Sequence, residues 1–147
     1  MSSTFHSRTA LWFRAREISD QLALSLHILA PFVEIGDAAE SSYQPDLIRV
    51  GRQYQGMEET FLLQSLLHEM AHHLERERYF LLTSHERLAA PRAFLGDLPN
   101  LRADHGEAFC KALLEVVRAW YGNPRHHDWA HERASVHAWA VSQGYAQ

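Results

Sequence analysis

The chain has 147 residues, of which 46% are hydrophobic and 22% charged, with a formal net charge of −4. That is one domain's worth of sequence with enough apolar surface for a proper core, and its acidic balance gives no overall electrostatic reason to expect a nucleic-acid partner. A single cysteine, Cys110, excludes both an internal disulfide framework and a four-cysteine zinc ribbon. Met1 to Thr9 lacks the apolar run and small-residue cleavage site of a secretory signal, and no apolar stretch reaches bilayer-spanning length. The expected location is therefore the cytoplasm, with no membrane partner.

From Ser7 to Leu26, the residues Leu11, Ala15, Ile18, Leu22 and Leu26 recur every three or four positions, which predicts an amphipathic helix with one buried face. Phe32 to Ile35 and Leu47 to Gly51 read as short extended segments, with a polar bend and Tyr43 between them. Pro45-Asp46 supplies turn chemistry, and Pro31 and Pro45 suit strand ends or sheet edges. Gly56-Met57-Glu58-Glu59 predicts a helix start with acid in its first turn. The helix is expected to run through Leu63, Leu66, Leu67, Met70 and Leu74 to about Arg78, buried for most of its length, with Glu75 to Arg78 as a solvated charged end.

Tyr79 to Ala103 reads as a long connection, broken by Pro91, Gly96 and Pro99. Ala103 to Phe109 opens another helix, in which Asp104 and Glu107 have the spacing of a capping box. Phe109, Ala112, Leu113, Val116, Val117 and Trp120 form its buried side, and Gly122-Asn123-Pro124 stops it. A final helix is expected from about Asp128 to Ser142. The fold class implied is α+β: a small antiparallel or mixed sheet packed on three or four helices.

The motif helix carries His68-Glu69-Met70-Ala71-His72, an H-E-x-x-H sequence. Residues four apart lie on one helix face, so His68 and His72 can point two imidazoles at one metal ion, while Glu69 is placed to take a proton from water. The bland alternative is a pair of core histidines bonded to carboxylates or carbonyls. Two ligands do not complete a catalytic zinc site. The spacing of H-E-x-x-H-x-x-G-x-x-H is excluded because Glu75 and Arg78 occupy the required positions. His85, Asp104, His105 and Glu107 compete for the third place. His105 is preferred, because Gly106 beside it would let its helix approach closely.

These two segments, with short strands before the first and His105-Gly106-Glu107-Ala108-Phe109 after a long insertion, resemble the SprT-like zincin metallopeptidases. They are similar also to a group of small actinobacterial metallohydrolases with an H-E-x-A-H-H core and a downstream H-G-x-x-F. The resemblance spans roughly Tyr43 to Gly122. It implies zinc held by His68, His72 and His105, Glu69 as general base and acid, a peptide or protein substrate, and an edge strand near Ile48 beside the cleft. SprT-type proteases that act on DNA-bound proteins carry DNA-binding elements, often with a cysteine zinc ribbon. This chain has one cysteine and a net negative charge, so proteolysis on DNA is not implied.

The expected activity is zinc-assisted hydrolysis, most simply of a peptide bond. A non-proteolytic metallohydrolase, an inactive zinc-stabilised binding module and a helical protein whose histidines hold no metal are the other readings. His73 is expected to make a supporting or core hydrogen bond, and Tyr43, Tyr79 and Tyr121 are each possible oxyanion donors. His126, His127, His131 and His137 are read as a histidine-rich surface helix, and Cys110 as a small buried residue.

Overall fold

Ser7 opens the first helix, α1 (Arg8–Leu26): its side chain accepts a hydrogen bond from the Ala10 N–H, one of the donors a helix start leaves without an intrahelical partner. At the other end His27 takes the left-handed conformation (φ 58°), its N–H bonding to Leu24 O while that of Ile28 bonds to Ala23 O. This pair of bonds is the Schellman arrangement that usually employs glycine. Leu11, Ala15, Ile18, Leu22 and Ala23 are buried as one stripe. The expected face is present, with Ala23 completing it where Leu26 is only partly covered.

The structure is a computed structural model that describes residues 5–81 and 106–147. Among them the architecture is α+β, with four α-helices and a three-stranded mixed sheet. The chain divides into two units, Met1–His73 and Leu74–Gln147. No helix among the described residues is long and apolar enough to cross a membrane.

In the first unit β1 (Phe32–Gly36), β2 (Ser42–Gln44) and β3 (Leu47–Gly51) form a sheet in the order β1-β3-β2. β1 runs parallel to β3, and β2 runs antiparallel to it. Pro45 and Asp46 make the two-residue turn between β2 and β3, with Asp46 at φ 62°, and Pro31 stands just before β1, so both prolines avoid the ladder as expected. One expectation is corrected here. Ile48 lies in β3, which pairs on both sides, so among the described residues the edge strands are β1 and β2 instead.

α1 covers the outer edge of β1. The Trp12 indole donates to Val33 O at 2.8 Å and the Arg8 guanidinium to Ile35 O at 2.5 Å, occupying carbonyls that point away from β3. Across the inner side, Glu34 and Arg49 stand opposite in register and pair at 2.6 Å. Gly51 is needed for a close crossing: a Cβ there would lie 2.1 Å from Ala39 O. The Gly51 N–H donates to Ser41 Oγ at 3.0 Å, fixing that bend.

A 3-10 turn (Arg52–Gly56) leads to α2 (Glu59–Leu81). The helix starts slightly later than the sequence suggests, because Met57 is extended (φ −108°, ψ 164°). Arg14 of α1 pairs with Glu59 in the first turn of α2 and with Glu17. Desolvation pushes the Arg14 guanidinium down, but its bonds to and attraction by the two carboxylates outweigh this, and the net shift is upward. Leu62, Leu66, Leu67, Met70, Ala71 and Leu74 are all buried. The predicted solvated end is corrected at Glu75, which is buried, and at Arg78, which pairs with Glu115, 37 positions along the chain, not with a neighbour.

In the second unit α3 (Glu107–Tyr121) buries Phe109, Cys110, Ala112, Leu113, Val116 and Val117, the expected face with Trp120 half-covered. Gly122 ends it at φ 78°. The expected capping box puts Glu107 at the third helical position, but Gly106 is the N-cap and Glu107 the first helical residue; Asp104 lies outside the described residues.

The single final helix predicted from Asp128 is also corrected. A 3-10 turn (Trp129–His131) precedes α4 (Ala134–Ser142), with Glu132 and Arg133 extended between them. Local bonds hold the break. The Trp129 indole donates to Pro124 O at 2.9 Å, and His127 and His131 bond to Glu132 and Asp128.

Candidate metal centre

α2 runs without interruption through the motif, and this regularity builds the site. With about 100° between successive residues, His68 and His72 come to one face one turn apart. Their ring centroids are 5.1 Å apart with the planes at 74°. One ligand atom each from His68, Glu69 and His72 lie within 4.8 Å of one another. His68 is half-buried, while Glu69 and His72 are only 7% and 6% exposed. The cluster thus combines two imidazoles and a carboxylate at the margin of the core, residue types that can hold zinc.

His73, the next residue, points elsewhere and is 1% exposed. Its Nε2 lies 2.8 Å from Leu29 O and its Nδ1 2.8 Å from the Tyr43 hydroxyl. A carbonyl only accepts, so Nε2 carries the proton. The expected supporting hydrogen bond of His73 is therefore present, made to the segment before β1 and to β2. Tyr43 also lies nearly parallel to the His72 ring, with centroids 6.3 Å apart and planes at 16°. The hairpin brings it there. The two-residue turn sets Tyr43 opposite Ile48, whose side chain is fully buried, so Tyr43 projects to the same face.

The structure thus brings together His68, Glu69 and His72 of the predicted site. The preferred third ligand, His105, and its competitors His85 and Asp104 lie outside the described residues. Glu107, the remaining competitor, is described and is exposed at the start of α3, where it pairs with Lys111 at 3.2 Å. Of the three tyrosines, Tyr43 is beside the motif histidines. Tyr121 is half-buried, with its phenol pushed up by desolvation and further by the charge of Asp128, and the Tyr79 side chain lies outside the description.

The sequence reading missed the Tyr43–His73–Leu29 linkage, although its strand part was accessible. A two-residue turn at Pro45-Asp46 fixes the register, and the register fixes the face on which Tyr43 emerges. The Leu29 carbonyl had no sequence signal, because any residue supplies one.

The four C-terminal histidines do not share a helix. His127 is 4% exposed and bonds through Nε2 to Glu132 at 2.9 Å, while the exposed His131 faces Asp128 at 3.1 Å. His126 ends the 3-10 turn at Pro124–His126, and His137 is in α4. The surface-helix reading is therefore corrected: His127 is a buried partner of a carboxylate, and no shared face collects the set.

Comparison with protein-family models, with curated proteins and with solved structures found no match.

Proposed function

We propose that this chain is a zinc-dependent hydrolase of zincin-like type, acting in the cytoplasm as a metallopeptidase on peptide or protein substrates. The observation that carries the reading is the convergence of His68, Glu69 and His72, with ligand atoms within 4.8 Å of one another on a largely buried helix. His68 and His72 are assigned to hold the metal. His105 is assigned as third ligand from its place in the sequence, and its nearness to the SprT-like pattern rests on the same two motifs. Bound zinc would supply Lewis acidity, polarising a substrate carbonyl and making water easier to deprotonate. Glu69 takes the proton of the attacking water on its carboxylate and passes it to the leaving amine nitrogen. An extended substrate is supported by β2, an edge strand that adjoins the motif helix through Tyr43, along which main-chain hydrogen bonds could align a peptide.

The test is hydrolysis of unfolded protein substrates by protein purified without a histidine tag. Wild type is expected to cleave, and Glu69→Gln to lose about 10²–10⁴-fold in rate while retaining its zinc. Zinc retention by a wild type that cleaves nothing across a broad peptide library would move the chain to a zinc-stabilised binding module.

A further inference from the structure

We infer that Tyr43 is a positioning residue for the metal centre, acting as a strut that fixes the His72 imidazole. The inference rests on the reading of His72 as a metal ligand. Consecutive side chains on a helix diverge by about 100°, so one residue that touches both His72 and His73 must lie over the gap between them. Tyr43 does so: its ring is 6.3 Å from that of His72 at 16°, and 5.6 Å from that of His73 at 60°. Both distances fall within the range in which aromatic pairs attract.

His73 anchors the strut. Its Nε2–H donates to Leu29 O and its Nδ1 meets the Tyr43 hydroxyl, both at 2.8 Å, so the imidazole is tied at both nitrogens and is almost fully buried. A ring held at both ends fixes the phenol, and the fixed phenol forms a wall parallel to the His72 imidazole. His72 thereby loses rotational freedom before any ion arrives, which lowers the ordering cost of ligation. The backbone supports the same geometry, because β2 is held to β3 by a two-residue turn and by the pairing of Tyr43 with Ile48. His73 works through Tyr43 and Tyr43 through His72; neither is assigned to touch substrate.

Two substitutions separate the parts of the strut. Tyr43→Phe keeps the ring and removes the hydroxyl, and Tyr43→Leu removes both. Zinc affinity by competition with a chromophoric chelator is expected to fall a few-fold in the first and about 10–100-fold in the second, the range seen when partners that orient a ligand are lost. In metal-free protein, the His72 ring proton resonances should lose their ring-current shift in Tyr43→Leu and keep most of it in Tyr43→Phe. Unchanged affinity in Tyr43→Leu, with wild type binding zinc tightly, overturns the strut and leaves the proposed function standing. If wild type binds no zinc, the proposed function fails. The strut, which serves that centre, then falls with it.

Discussion

Two stretches of this chain begin with the same dipeptide and end in different chemistry. His68-Glu69 is followed four positions after its histidine by His72, and His131-Glu132 by Ser135. In the first stretch the helix is unbroken, so two imidazoles and a carboxylate converge within 4.8 Å. In the second the backbone leaves the 3-10 turn at Glu132 (φ −77°, ψ 168°), and each histidine settles against a nearby carboxylate, His127 on Glu132 and His131 on Asp128. Only where the helix continues through the next turn does the His-Glu pair meet a second histidine. Elsewhere the same residues form local pairs that hold a turn together.

The comparison can be broken most severely at its two glutamates. Glu69→Gln should lower peptide hydrolysis by about 10²–10⁴-fold, whereas Glu132→Gln should leave the rate per folded molecule unchanged. Equal loss in both, measured at matched folded fraction, would erase the distinction. Stability should show the reverse order. Glu132→Ala leaves a buried imidazole without its hydrogen-bond partner and is expected to cost up to about 3 kcal/mol in denaturant unfolding.

A smaller effect is expected at Gly51, where an added Cβ meets the Ala39 carbonyl and the backbone of the bend must shift. Gly51→Ala should cost about 1–3 kcal/mol. His131→Ala should cost less still, at most about 1 kcal/mol, because its pair with Asp128 is exposed on both sides.

The smallest effect is at Tyr121, 6.1 Å from His127 between ring centroids. Its phenol pKa is raised in the fold by desolvation and by Asp128, so the folded state keeps the proton longer than the unfolded chain. That contribution is complete below the unfolded pKa of about 10 and is lost as pH rises through the folded value. Tyr121→Phe should therefore flatten the alkaline limb of a stability–pH profile, and an unchanged limb would remove this account of the second stretch.

Much of the fold was legible because apolar periodicity and turn chemistry both act locally. Leu11, Ala15, Ile18 and Leu22 announce α1, Leu66, Leu67, Met70 and Leu74 announce α2, and Pro45-Asp46 marks the hairpin. The convergence of His68, Glu69 and His72 needed only helix geometry. Strand order was not legible: β1 pairs directly with β3 and not with its chain neighbour β2, so the central position of Ile48 depends on a non-local contact. The final helix failed for a related reason. Trp129, Val136 and Ala140 are buried in a pattern compatible with one helix, but the Trp129–Pro124 and His127–Glu132 bonds favour a break between them. The start of α3 was misplaced because the capping-box pattern puts Glu107 at the third helical position, whereas it is the first.

Zinc stoichiometry by elemental analysis of tag-free protein decides whether His68 and His72 hold a zinc ion. Wild type should carry one zinc per chain. His72→Ala should carry none after the same purification, and His131→Ala should carry the same amount as wild type. Wild type without zinc after growth in zinc-supplemented medium, or His72→Ala with a full complement, would contradict the account.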